Sequence, residues 1–532
     1  MLSLGGAKLL GRSAMLFAAA LALLASPAMM RAASPSKRQL ALIEAQLRQH
    51  VTTLASDEYG GREPGTPGET LTLRYLARQW FDIGLESGTN DPGNAWFAPV
   101  ELVEREPQGS RAQFYHGRRR VAVAVAEAEF FVVTSGLRSL IENAPLVYVG
   151  RSLGGETLRT ELAGRVAVIF DSEAPPLESV GTAGGKPGSA PMAARPIDRA
   201  GRLLDGGAAA VLTVLDAERS LEDVIARRRR AGYALAGERI GGDIEAFLTP
   251  AAARQLLASA GAPDLAALRQ AGAAPGFSSR ALGLTASLEA TNRETRIKTH
   301  NLIGKLEGRR IEGKGRDEGA VVLMAHWDHF GKCAAPPAED LICNGAVDNA
   351  SGLAVVTEVA RLLAAGRPLD RDVYIVATTG EELGLLGALA FAENPPLPLD
   401  KVVAAFNVDS TGLVPAGRPV SVVGQGMTPL DSGIAKVLKG MKRKLASGDA
   451  ANAYAKRQDS WVLIQHDVPS VMVSTSYSDP QRLEAFMDNL YHRPSDDEAK
   501  VLYGGMVDDV LIQAEMVRHF ADAKAWPSVR AK

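Results

Sequence analysis

Apolar runs of strand length recur in the second half of the chain, and each ends at a cluster of acids or a histidine. Ala320 to Ala325 runs into His326-Trp327-Asp328, Val373 to Thr378 into Thr379-Gly380-Glu381-Glu382, and Val402 to Phe406 into Asn407-Val408-Asp409. Short continuous apolar runs rich in β-branched residues read as strands buried on both faces. Between the first two, Leu353, Val356, Val359, Ala360 and Leu363 fall on one helical face, with Gly366 as the C-terminal stop and Asp348 just ahead of the segment. This alternation predicts an α/β fold with a mostly parallel central sheet flanked by helices. Such sheets bind ligands at the carboxyl ends of their strands, where these polar clusters fall.

Upstream, Ser34 to Leu54 and Leu71 to Ile83 carry helical periodicity, Trp96 to Val103 reads as a strand, and the Gly/Pro-rich stretch Asp57 to Gly68 between the helices reads as a loop. From about Phe130 to Phe277 the pattern changes. Strand-like runs at Leu146 to Val149, Val166 to Phe170 and Ala209 to Val214 are separated by long Gly/Ala/Pro-rich loops, notably Glu173 to Pro196. No histidines and acids cluster there at ligand spacing, so this is expected to be a non-catalytic, β-rich inserted domain. The Arg227 to Arg230 run within it reads as a solvated basic face. Leu282 to Leu306 resumes strand-like alternation, the α/β pattern continues to about Phe520, and the tail after Ala521 is expected to fray. The expected division is a signal peptide over 1–33, the N-terminal part of the main domain over 34–129, the insert over 130–280, and the rest of the main domain over 281–525.

The first segment rests on charge and hydropathy. Lys8 and Arg12 precede an apolar run from Ala14 to Ala25, followed by Ser26-Pro27-Ala28 and Ala32-Ala33. That run is too short for a bilayer span of about 20 residues and fits a secretory signal with small residues at its cleavage site. Its removal takes away three cations and no acid, shifting the formal charge from −2 to −5. A periplasmic or secreted protein with no stable membrane insertion follows as an expectation. With 59 basic against 61 acidic residues and no dominant block of either sign, nothing points to nucleic acid. The two cysteines, Cys333 and Cys343, both lie between His326 and Asp348, and in an oxidising compartment they are expected to pair.

His326, Asp348, Glu382, Asp409 and His492 form a set of two imidazoles and three carboxylates. Nitrogen and carboxylate oxygen without thiolate suit Zn²⁺ at a catalytic rather than a closed structural site. Five donors exceed what one open tetrahedral ion needs and match two Zn²⁺ ions sharing Asp348, with His326 and Asp409 on one and Glu382 and His492 on the other. Two ions ~3.5–4 Å apart lower the pKa of a water towards ~7 and polarise a carbonyl oxygen. Glu381, beside a ligand but not needed as one, is then the candidate general base. Asp328 is the expected acceptor for the second ring nitrogen of His326. Tyr491 is a candidate donor to a developing oxyanion. His329 and His466 read as structural.

The motifs Ala325-His326-Trp327-Asp328, Gly345-Ala346-Val347-Asp348-Asn349-Ala350-Ser351-Gly352, Gly380-Glu381-Glu382-Leu383-Gly384, Asn407-Val408-Asp409 and Tyr491-His492-Arg493-Pro494-Ser495-Asp496 resemble those of the co-catalytic zinc aminopeptidases of metallopeptidase family 28. The resemblance covers about 283 to 520, and more loosely 35 to 125. It implies the same ligand and base assignments, a cis peptide after Asp348, peptide substrates, and an insert resembling a protease-associated domain. The chain departs from the family at Gln458-Asp459-Ser460-Trp461 and over Ser474 to Asn489, both near the expected pocket. Trp461, Tyr477 and Phe486 are candidate walls for an apolar substrate side chain. Arg457 and Arg493 keep open a carboxypeptidase of the same fold, which needs a cation for a terminal carboxylate. A glutaminyl cyclase on this fold and a non-catalytic, receptor-like binding module are weaker readings, and the full ligand set argues against both.

Overall fold

The computed structural model describes residues 35–121, 129–151, 160–171, 199–216, 219–230, 232–237, 243–309 and 319–527. The signal peptide expected over 1–33 and the Glu173 to Pro196 loop lie outside them. Fifteen strands are described: β1 (Glu86–Ser87), β2 (Phe97–His116), β3 (Arg119–Val121), β4 (Phe130–Thr134), β5 (Arg138–Tyr148), β6 (Val166–Phe170), β7 (Ala210–Val214), β8 (Tyr233–Leu235), β9 (Ile244–Leu248), β10 (Arg280–Leu306), β11 (Ala320–His326), β12 (Asp372–Thr378), β13 (Val402–Asn407), β14 (Ser421–Val423) and β15 (Ser470–Ser474).

The apolar runs become the centre of the sheet. β11 lies between β12 and β13, parallel to both, and β15 adds in parallel to β13. Every residue of β11 is buried, as two-sided burial in a parallel sheet demands. The predicted helix forms at Gly352–Ala364 and packs against the C-terminal helix Tyr503–Ala521 on the sheet. Hydrogen bonds then continue from β12 through β10 to β5, β6, β7, β9 and β4. At 27 residues, β10 pairs along its length with β2 and β5 and so belongs to both halves of the sheet. β2 is also longer than the expected Trp96 to Val103 strand, because its pairing with β10 carries on to Tyr115 through a register shift near Asn292.

The 130–280 region holds the parallel set β5-β6-β7-β9 with β4 antiparallel at its edge, and also the helices Arg199–Asp205, Leu221–Arg230, Pro250–Ser259 and Leu265–Gly272. Its core gathers Leu146, Val168, Phe170, Leu212 and Leu256 and is shared with Phe114 of β2 and Leu284 and Leu288 of β10. β8 reaches back from this region to pair with β2 over Leu102 to Glu104, and Leu235 packs there with Leu102 and Leu386. The tail does not fray immediately after Ala521. Trp526 packs edge-to-face on Phe520 with ring centroids 4.8 Å apart, and Arg371 donates to the carbonyls of Phe520 and Trp526 at 2.7 Å each.

Candidate metal centre

Three strand ends and one turn bring the chemistry together. His326, at the end of β11, holds its Nε2 3.2 Å from Asp348 Oδ1 and 3.4 Å from Asp409 Oδ1. On the other side, His492 Nε2 lies 3.4 Å from Asp348 Oδ2 and 2.9 Å from Glu382 Oε2. The two oxygens of Asp348 therefore face two separate imidazole–carboxylate pairs. Glu381 Oε2 stands 3.9 Å from His326 Nε2.

The local backbone explains how Asp348 is aimed. Gly345 adopts φ +54°, and a Cβ there would sit 2.0 Å from the Asp348 carbonyl, so only glycine fits. The Asp496 carboxylate accepts the backbone N–H groups of Val347 and Asp348 at 3.0 Å each. The Asp348–Asn349 peptide is cis, as the motif resemblance implies. Asn349 then ties the turn to the neighbouring strand end, donating to Val408 O at 3.0 Å and accepting from Gly352 N at 3.0 Å.

The Glu381-Glu382 turn is pinned differently from expectation. The Asp328 carboxylate accepts from Glu381 N at 3.1 Å and Glu382 N at 3.3 Å. The second ring nitrogen of His326 faces the Asp328 backbone carbonyl at 3.1 Å, with the Asp328 carboxylate farther off at 3.8 Å. Asp328 thus fixes the Glu381–Glu382 turn through its carboxylate, while its carbonyl faces the imidazole of His326.

Two contributors were not legible in the motifs. Arg62, from the Gly/Pro-rich stretch, is fully buried beneath the site. It donates to the carbonyls of Trp327, Leu54, Asn344 and Gly345 at 2.6–2.9 Å. Burial lowers its pKa to about 10, against the pull of Asp348, Asp496, Asp328 and Glu382 around it. His329, expected to be structural, lies inside the cluster, with Nδ1 2.6 Å from Glu382 Oε1 and its ring 5.7 Å from that of His492. The spacing of His326 and His329 on one strand-end loop was the available signal.

The fit to metal can be tested on the donor atoms. His326 Nε2, His492 Nε2 and Asp348 Oδ2 are buried and make no hydrogen bond, although oppositely charged atoms crowd within 3.4 Å. Atoms close together but not aligned for hydrogen bonding suit donors converging on a cation. Three imidazoles, of His326, His329 and His492, and four carboxylates, of Asp348, Glu381, Glu382 and Asp409, share this cluster. Burial, reinforced by Glu382 and Asp409 against His326, pushes Glu381 well above the usual carboxylate range. The groups His326-Asp348-Asp409 and His329-Asp348-Glu382 each bring one ligand atom per residue within 4.8 Å. The residues fit bound metal.

A cavity is lined by Asp348, Glu381 and Asp409. Tyr491 lines it and stacks on His492 with ring centroids 3.6 Å apart. Tyr477 and Phe486 are walls, as expected, whereas Trp461 lies outside the lining, its ring 5.4 Å from Lys456 Nζ. Arg457 lines the cavity and Arg493 does not. Both stretches that depart from the family motif shape this region. Asp459 is buried and accepts from Thr378 Oγ1, while the helix Pro480–Asn489 supplies Leu483, Phe486 and Met487 to the wall. His466 caps its own helix through Val462 O at 2.8 Å, a structural role. The cysteines pair, with Cα atoms 5.7 Å apart, closing the loop between His326 and Asp348.

Residues 301–512 match the model of peptidase family M28. Over 102 residues the chain is 35% identical to the alkaline phosphatase isozyme conversion protein of Escherichia coli (strain K12), a match covering 18% of this chain and 29% of that protein's length. Among solved structures, the aminopeptidase from Aneurinibacillus sp. strain AM-1 is similar over 90% of this chain and 94% of its own, with a TM-score of 0.52 and 18% identity. The zinc aminopeptidase of Bacillus subtilis aligns over 92% and 96% with a TM-score of 0.41 and 16% identity.

Proposed function

Because the chain belongs, through residues 301–512, to peptidase family M28, we propose that it is an exported exopeptidase that removes N-terminal residues from peptides with two Zn²⁺ ions per chain. The observation that carries this reading is Asp348, whose two oxygens each face their own imidazole and carboxylate, 3.2 and 3.4 Å from the two histidines. His326 and Asp409 would hold one ion, Glu382 and His492 the other, and Asp348 would bridge them. His329, bonded to Glu382, would orient that ligand from behind. Bound there, the ions would supply Lewis-acid polarisation of the scissile carbonyl and a water of lowered pKa.

The remaining steps belong to the chain. Glu381 takes a proton from the attacking water and delivers it to the leaving amine, and its burial beside carboxylates suits it to carry that proton. The Tyr491 hydroxyl donates to the developing oxyanion, held in place by its stack on His492. The anionic floor of the cavity receives the free ammonium of the substrate. The same reading takes 1–33 as the export signal, 34–129 with 281–525 as the peptidase domain, and 130–280 as an insert of protease-associated type. The disulfide is consistent with an oxidising compartment, and among the described residues no helix is long and apolar enough to cross a membrane.

Mass spectrometry of a mixed peptide library with free or acetylated N-termini, digested by the wild type and by Glu381→Ala, tests this. Stepwise loss from free N-termini only, abolished in the variant, is expected. Trimming from the carboxyl end, or equal cleavage of acetylated peptides, overturns it.

A further inference from the structure

Resting on the exopeptidase reading, we propose that Arg457 is a specificity-determining residue that binds a substrate carboxylate within one residue of the scissile bond. Arg457 ends the short turn Ala450–Arg457 and lines the same cavity as Asp348, Glu381 and Asp409. Its guanidinium carbon lies 5.7 Å from the Tyr454 ring centroid and 5.4 Å from that of Tyr491. Tyr491 stacks on His492, so this cation stands one ring away from a proposed metal ligand.

Other arginines are engaged elsewhere. Arg62 is spent on backbone carbonyls, Arg443 pairs with Asp508 and Arg418 with Asp479. Arg457 has no carboxylate partner among the described residues, and the groups that act on its charge beside burial are the tyrosines 491, 454 and 477. Flanking aromatic rings hold a guanidinium plane in place, and its fork matches a carboxylate with two parallel hydrogen bonds.

The cavity lining therefore carries both signs, the carboxylates of Asp348, Glu381 and Asp409 and the guanidinium of Arg457, together with the apolar side chains of Met472, Leu483, Phe486 and Met487. An occupant complementary to this surface is dipolar, with its ammonium at the acids and a carboxylate at Arg457. Two carriers of that carboxylate fit: the side chain of an acidic N-terminal residue, or the terminal carboxylate of a dipeptide.

The test is kcat/KM for two matched pairs, Glu-Ala amide against Gln-Ala amide and Ala-Leu against Ala-Leu amide, with wild type, Arg457→Gln and Arg457→Lys. In the wild type the acid member of one pair is expected to win by on the order of 10- to 100-fold, the scale of a charge-assisted contact. Arg457→Gln brings that ratio towards one and Arg457→Lys retains part of it, whatever common loss either variant brings. The pair that responds identifies the source of the carboxylate. A wild type without preference in either pair, or a preference that survives in Arg457→Gln, overturns the inference while leaving the exopeptidase reading intact. An equal loss on all four substrates overturns it in favour of a positioning role through Tyr491. No cleavage of any free-amine substrate by the wild type overturns both.

Discussion

Replacing Arg62 with methionine keeps much of the side-chain volume and removes the guanidinium, which makes it a sharp probe of how the N-terminal stretch supports the metal centre. Four carbonyl acceptors within 2.9 Å lose their donor at once, those of Trp327, Leu54, Asn344 and Gly345, and the longer bond to Asp348 O at 3.4 Å goes with them. At roughly 1.5 kcal/mol per hydrogen bond to a charged group, the low end of the range, the sum is about 6 kcal/mol. The desolvation that lowers the Arg62 pKa to about 10 is relieved in the variant and offsets part of that sum. The carboxylates of Asp348, Asp496, Asp328 and Glu382 meanwhile lose a buried counter-charge, which works in the opposite direction. A net loss of about 4 kcal/mol or more is expected, read as a lower denaturant midpoint with an unchanged slope. Arg62→Lys should recover only a fraction, because three donors on one nitrogen cannot reach carbonyls spread around a planar fork. A loss below about 1 kcal/mol for Arg62→Met would refute the reasoning, since it would mean that the carbonyls find other donors or water.

Reducing the Cys333–Cys343 bridge, or replacing both cysteines with serine, should cost about 3 kcal/mol by the loop-closure estimate for a short loop. Denaturant unfolding with and without reductant measures it, and identical midpoints would contradict it. Asp509, buried and accepting from Thr475 N and Ser474 Oγ, is pushed by burial to about 7. A carboxyl with a raised folded pKa binds its proton more tightly when folded, so its contribution to stability is greatest below the unfolded value of ~4 and is lost as pH rises towards 7. Stability of the wild type relative to Asp509→Asn should therefore fall by up to about 4 kcal/mol between pH 4 and 7, and a flat difference would count against this. Gly352→Ala should fail to assemble the site, because its Cβ would lie 2.2 Å from Asn349 Oδ1 and 2.4 Å from Val408 O; near-wild-type thermal stability would be the contrary result. His329→Ala should weaken zinc binding about 10- to 100-fold by competition with a chelator, and an unchanged affinity would remove its role behind Glu382.

The strands that form the sheet's centre were legible because burial on both faces leaves an unbroken apolar run, and all of β11 is indeed buried. His326, Asp348, Glu382, Asp409 and His492 were legible for a related reason, since most of them follow a strand or precede a helix, and the topology then brings them together. The roles of Arg62, His329 and Asp496, the last inside a quoted motif, were not read because they depend on approaches the local pattern does not encode. Arg62 meets Asn344 across 282 residues, and Asp496 meets Val347 across 149. The alternation over Leu282 to Leu306 matches β10, but the full length of β2 was hidden, because beyond Val103 charged and apolar positions alternate irregularly and the pairing with β10 is what extends the strand.

The central claim is that Asp348 is shared between two ions. Elemental analysis of zinc bound per chain after dialysis, made in parallel on wild type, His492→Ala and Asp348→Ala, tests it most directly. The account predicts two ions in the wild type, one in His492→Ala because the His326–Asp409 side survives, and none retained in Asp348→Ala. One ion in the wild type, or an Asp348→Ala variant that still holds two, would contradict it.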